Sequence, residues 1–384
     1  MDNSPTSPRP DDSSHPTTAS AKHDKKFSLL TRQKTMNRML LALAPIACAA
    51  VYLFGWRVVA VLVTVFAAGY LTELLTARRR GQSVSTAALV TCALYGLSLP
   101  PTTPMWIAAV GVIVAILFGK EVFGGFGRNP FNPAIVGRAF VYICFPIEIT
   151  GRFVPAFSTW PGGLAHWSFE SLSQLPSGFV QAGRTVADAV TQATPTWVNN
   201  TYGHQTPWRQ LFLGDISGTF DAGGTQRILA AGSMGEGCAA LIVLAGLYLL
   251  WTKTANWRLM LGGLAGVVAS NVLFRNLLGF GALGEVPPLH LTLLSGATLY
   301  VVVYMITEPV SAPKKRPAQL AYAFLIGFLI ILLRWRGIFA AAATFAILLG
   351  NLLGPLLDMA AVQVAARRKA VAPEVAQAAA EGAA

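Results

Sequence analysis

Charge is what this sequence has least of. Only 12% of its 384 residues are charged and 54% are hydrophobic, whereas a soluble globular chain carries about 25% charged residues. Water is therefore not its main solvent. The four cysteines, Cys48, Cys92, Cys144 and Cys238, are scattered through apolar stretches without Cys-x-x-Cys spacing. That excludes a written zinc site or redox dithiol and leaves four core thiols as the expectation. No glycine-rich dinucleotide fingerprint and no iron–sulfur cysteine run is present. His15 and His23 sit in a polar tail, and His166, His204 and His290 have no partner at metal-ligand spacing. No metal site is expected.

What is abundant is apolar sequence. Runs of 16 to 21 residues recur, long enough as helices to cross a hydrocarbon core of about 30 Å. They predict an all-α polytopic membrane protein of about ten spans, near 39–55, 58–76, 85–99, 104–120, 132–147, 237–252, 259–278, 289–307, 318–334 and 338–358. The span 85–99 is short and broken by Gly96 and Pro100, and the span 132–147 opens at Pro133 and closes at Pro146, which makes both candidate half-helices. The net charge of +12 does not signal nucleic acid, because it lies in short loops between apolar runs. Threaded from a cytoplasmic N-terminus, twenty Lys and Arg residues fall inside and eight outside, with Arg138 left within a span. This is the positive-inside pattern, and it predicts both termini in the cytoplasm. Residues 1–38 are polar, rich in Ser, Pro and Thr, and read as a disordered tail without a cleavable signal peptide.

The expected organisation is a first transmembrane repeat over 39–147, a long outer loop over 148–236, a second repeat over 237–358 and a cytoplasmic tail over 359–384. A loop this long is usually functional. Its tryptophans, Trp160, Trp167, Trp197 and Trp208, read first as interfacial anchors. The repeats rest on an echo: Pro100-Pro101 precedes Glu121, and Pro287-Pro288 precedes Glu308, each Glu 20 residues after the second Pro. Paired repeats of broken helices that meet near the midplane build binding sites.

Three constellations carry possible chemistry. Lys120-Glu121-Val122-Phe123-Gly124-Gly125 leads into Asn129-Pro130-Phe131-Asn132-Pro133 and then Gly137-Arg138-Ala139-Phe140. Two Asn-Pro steps beside glycines cannot sit in a continuous helix, so the chain must break there. A break at membrane depth lines a cavity or is buried in protein; a simple capped loop is the ordinary alternative. The second, Thr307-Glu308-Pro309-Val310-Ser311, places a carboxylate at a helix end. Glu121, Glu308 and Asp358 are candidate cation or proton relays, although pairing with neighbouring lysines or backbone would satisfy them equally. The third is Asp188-Ala189-Val190-Thr191-Gln192-Ala193-Thr194 in the outer loop, weak by composition alone.

The stretches Lys120–Phe140, Thr307–Ala312 and Gly350–Asp358 resemble the NqrB/RnfD family, which joins one membrane component of the sodium-pumping NADH:quinone reductase to one of the Rnf complex, over roughly residues 36–360. The resemblance implies a subunit of a bacterial inner-membrane electron-transport complex, coupled to Na+ or H+ movement, whose partner subunits oxidise NADH or ferredoxin. It implies FMN joined through its phosphate to Thr194 by a flavin transferase acting at the outer face. Asp188, Thr191 and Ala193 match that attachment motif, with Thr191 and Gln192 replacing commoner Ser and Gly. It also implies a noncovalent riboflavin, for which Asn129, Asn132 and Arg138 are candidates. Ser295-Gly296-Ala297-Thr298 resembles the attachment tetrapeptide too, but it is expected in mid-span, out of the transferase's reach, where small residues serve helix packing. Gln192, the Ser295–Thr298 tetrapeptide and the short polar stretch before the first span resemble the RnfD arm. The Lys120–Phe123 and Gly137–Phe140 runs resemble the NqrB arm. A flavin-free secondary transporter is the rival expectation.

Overall fold

The computed structural model describes residues 33–150, 153–157, 160–168, 194–216, 218–221, 224, 226–337 and 341–381. Among the described residues five helices are long and apolar enough to cross a membrane, and the chain is a multi-pass membrane protein. They are α1 (Lys34–Phe54), α2 (Arg57–Arg79), α10 (Trp257–Asn271, prolonged by the π-turn Val272–Leu277), α13 (Arg316–Gly337) and α14 (Ala342–Glu381). Between them lie shorter helices: α3 (Thr86–Leu97), α4 (Met105–Ile116), α5 (Pro133–Cys144), α6 (Pro146–Thr150) and α9 (Ala239–Trp251). At 12 residues each, α3 and α5 are about 18 Å long, too short to cross a hydrocarbon core of about 30 Å alone. The expected loop over 148–236 contains α7 (Pro195–Tyr202), α8 (Trp208–Leu213) and a hairpin of β1 (Gly218–Asp221) and β2 (Gln226–Leu229).

Local chemistry sets the helix starts. Ser85, Asn132 and Asn256 each accept a bond from the backbone N–H two residues on, and Pro133 fills the first turn of α5. The long helices stay together because glycine lets backbones touch. A Cβ on Gly266 would lie 2.1 Å from the Phe324 carbonyl, and one on Gly327 would lie 2.2 Å from the Gly263 carbonyl. α10 and α13 therefore pack through small residues, the mode available where apolar side chains gain nothing by leaving lipid.

Several expectations change in detail. The span expected over 289–307 is interrupted: α11 (Leu289–Leu294) stops at Ser295, and α12 (Thr298–Tyr300) resumes and runs into the π-turn Val301–Met305. The break falls on Gly296 at φ +66, a conformation that glycine adopts without strain. The helix that follows Pro100-Pro101, by contrast, runs straight from α4 into the π-turn Leu117–Glu121. The final helix continues to Glu381 instead of ending near 358, because the alanine-rich stretch beyond is a strong helix former. Cys92 is buried, but Cys48 and Cys144 lie exposed on α1 and α5. In a bilayer an apolar thiol gains as much on the lipid face as in the core.

Candidate functional site

Thr194 stands at the N-cap of α7 with extended backbone, and its side chain makes no capping bond among the described residues. Its hydroxyl is thus not used to cap its helix, where the side-chain oxygens of Ser85, Asn132 and Asn256 are spent on theirs. It borders a cavity of about 350 Å³, within the usual range for small-molecule sites. α5 contributes Arg138, α13 contributes Arg334 and Trp335, and the 3-10 turn Met234–Glu236 contributes Glu236. Trp197 lines the same space, so of the four loop tryptophans it departs from the anchoring expectation, while Trp160, Trp167 and Trp208 are exposed.

The interrupted span closes one side of this cavity. Ser295, Gly296 and Ala297 line it, and the hydroxyls of Ser295 and Thr196 are hydrogen-bonded at 2.7 Å. Thr298 is fully buried, as its mid-span position implied. Its tetrapeptide is nevertheless a break beside Thr194 and not a stretch of continuous packing helix. Asp188, Thr191 and Ala193 lie outside the described residues.

The remaining candidates gather elsewhere. Arg138 is separated from Asn129 and Asn132, which border a second cavity of about 60 Å³ with Lys120, Tyr304 and Glu308. Asn132 is a structural hub. Its side-chain oxygen caps α5 by accepting from the Ala134 backbone, its amide donates to the Met305 carbonyl at 3.2 Å, and its backbone N–H donates to Asn351 Oδ1 at 3.1 Å. Asn129 donates to the Phe131 carbonyl at 3.1 Å. Glu308 accepts from the Ser311 backbone at 2.7 Å and from the Ser311 hydroxyl. Asp358 accepts from the backbone amides of Lys314 and Lys315 at 2.9 and 2.8 Å, which fixes the turn into α13.

Glu121 belongs to a charge cluster of its own. Lys120 Nζ lies 2.6 Å from Glu73 Oε2 and 4.0 Å from Glu121 Oε1, while Arg80 Nη1 lies 2.9 Å from Glu121 Oε2. Glu73, Lys120 and Glu121 are all buried. Two carboxylates and two cations thus compensate one another, the condition under which buried charge is tolerated.

Residues 20–367 match the family described as NQR2, RnfD, RnfE. The chain belongs to that family. Its relatives include the NqrB component of the Na(+)-translocating NADH-quinone reductase of Pseudomonas aeruginosa, 32% identical over 310 residues that make up 80% of this chain and 68% of the relative. The NqrB component of Chromohalobacter salexigens is 33% identical over 79% of this chain and 65% of its own length. That of Azotobacter vinelandii is 31% identical over 79% and 66%.

Family membership leaves three site residues to be found by geometry. Glu73 was detectable as an ionisable residue inside an apolar span, which is by itself a functional pointer. Glu236 and Arg334 carried no such signal, since each sits at an expected span end, where charge is ordinary. Among the described residues no cluster of three metal-ligating side chains exists.

Proposed function

We propose that this chain is the flavin-carrying membrane subunit of an ion-translocating electron-transport complex of the bacterial inner membrane, with FMN esterified through its phosphate to Thr194. The observation that carries the reading is a hydroxyl left unused at a helix N-cap, on the edge of a cavity with aromatic and cationic walls. A phosphoester at that position meets the partial positive charge of a helix start. Trp197 and Trp335 offer flat apolar surface, and Arg138 and Arg334 offer N–H donors, so the residues present fit a flavin. The bound group would supply reversible electron uptake, while the protein fixes its position and surroundings.

Glu121 and Glu308 are the proposed carboxylates of the Na+ or H+ path: Glu121 ends the π-turn that continues α4, and Glu308 follows the π-turn that continues α12. Asp358 is a weaker member of that set, because both its oxygens hold backbone amides. The second cavity, at about 60 Å³, is well below the roughly 300 Å³ that a small-molecule site occupies. Asn129 and Asn132 therefore do not fit a riboflavin as they stand, and no step is assigned to one. Partner subunits would supply oxidation of NADH or ferredoxin, and a flavin transferase at the outer face would make the ester. The Lys120–Phe123 and Gly137–Phe140 runs favour the NqrB arm. Gln192 and the Ser295–Thr298 tetrapeptide favour the RnfD arm. Sodium dependence of electron transfer in membranes tests the ion.

Denaturing electrophoresis of the chain co-expressed with a flavin transferase tests the attachment. A fluorescent flavin band is expected in wild type and absent from Thr194→Val. A band that survives the substitution moves the attachment to another residue, whereas a band that never forms in wild type refutes the attachment and favours the flavin-free transporter. Glu121→Gln and Glu308→Gln are expected to abolish coupled ion transport while the complex still assembles; unchanged transport would reduce the chain to a scaffold.

A further inference from the structure

The cavity beside Thr194 contains an electrostatic imbalance that the fold does not resolve by itself. The Arg138 side chain is nine-tenths buried, with Nη2 3.5 Å from Glu236 Oε1. Its Nη1, and Nη1 of Arg334, are buried and have no hydrogen-bond partner among the described residues. Both side chains line the cavity. Arginine cannot escape such a position by losing its proton, since its guanidinium stays charged at any relevant pH. Buried positive charge is costly unless it is met, and here two guanidiniums face one near carboxylate, Glu236, so this wall keeps positive charge and N–H donors for a guest.

The backbone has been opened to seat these groups. Gly296, at φ +66, lies where a Cβ would stand 2.9 Å from Arg334 Nη2, and Gly232, at φ +99, lies where one would stand 3.1 Å from Glu236 Oε2. Among the described residues of the wall, only Glu236 is a carboxylate close to the arginines. The other, Glu285, is partly exposed and accepts a bond from the Ala282 backbone at 3.0 Å.

We propose that Arg138 and Arg334 form an anion-compensating wall for the flavin tethered at Thr194, acting as positioning residues that raise its reduction potential. The inference rests on the attachment proposed above. One electron added without a proton makes the flavin one charge more negative. The electron comes from the preceding carrier of the complex, or from dithionite in a cuvette, and no bond is made or broken. Fixed guanidiniums favour that more negative form over the oxidised one, in a site where water screens them little. Glu236, which shares Arg138, opposes the same change.

Redox titration of full-length protein, co-expressed with a flavin transferase and purified in detergent, tests this through flavin absorbance. At a fixed poise, Arg138→Gln and Arg334→Gln should each lower the reduced-to-oxidised ratio about tenfold, which is about 59 mV for one electron. Glu236→Gln should raise it, and Arg138→Lys should stay near wild type. A merely structural role would not give opposite signs for the arginines and the glutamate. Arginine variants within about threefold of wild type, at full in-gel fluorescence, would overturn the proposal. If the arginine variants fail to accumulate, Glu236→Gln decides alone: a rise supports the wall, and no change or a fall overturns it. A wild-type chain without a fluorescent band removes the attachment and this inference together, whereas a labelled chain with unmoved potentials removes only this inference.

Discussion

Two charged clusters lie within this apolar bundle, and they are finished to different degrees. Around Lys120, two carboxylates and two cations close on one another at 2.6 to 4.0 Å. Around Arg138, two guanidiniums share one near carboxylate and keep buried nitrogens without partners among the described residues. Desolvating a charge costs about the same in both places. A cluster that satisfies itself is part of the scaffold unless an ion enters and displaces a partner, while an unsatisfied cluster is shaped for something the chain alone does not hold.

This contrast is most sharply tested by removing one cation from each cluster. Lys120→Gln strands Glu73 and should cost about 3–5 kcal/mol, read as a large drop in the thermal midpoint of the detergent-solubilised chain. Arg334→Gln removes a charge with little to lose and should leave the midpoint of flavin-free protein unchanged or slightly raised. Equal losses for the two would erase the distinction. Replacing Glu73 and Lys120 together, by Gln and Met, should recover most of the loss, since no buried charge is then left without its closest partner.

A smaller effect is expected at the hub between the clusters. Asn132→Ala removes the cap of α5 and the bond to Met305 and should cost about 1–2 kcal/mol by the same melting measurement. Asp358→Asn should cost least, about 0.5 kcal/mol, because an amide oxygen still accepts from Lys314 or Lys315. It should leave ion transport in proteoliposomes intact. Loss of transport in that variant would return Asp358 to the ion path beside Glu121 and Glu308.

Much of the architecture was legible in the residues. Pro133 and the two Asn-Pro steps announced a break and a half-helix, and α5 begins at Pro133. Apolar length announced the bundle. The interruption at Ser295–Ala297 was not legible, because no proline marks it and a glycine's positive φ leaves no trace in hydrophobic periodicity. Arg334 reads in the sequence as a charge at the end of the span 318–334, where the apolar run thins. α13 in fact carries on to Gly337 and presents that arginine to the Thr194 cavity. Which face of a helix borders a cavity is settled by its neighbours, here α5 and the broken α11, and their approach depends on contacts far apart in sequence. Thr194 was singled out by motif alone; its unused hydroxyl came only from the cap geometry.

The glycine contact between α10 and α13 has a mechanical consequence. With Gly263 and Gly266 pressed against Phe324 and Gly327 at backbone distance, neither helix can slide without lifting off the other, so the pair moves as one plate. Arg334 lies two turns along from Gly327 and is carried on that plate. Arg138 belongs to the separate, shorter α5. Any cycle that widens or narrows the gap between the two guanidiniums must therefore move α5 and its Asn132 anchor against a fixed frame. A rearrangement at Asn132 would then reach Arg138 along six residues of α5, a lever about 9 Å long.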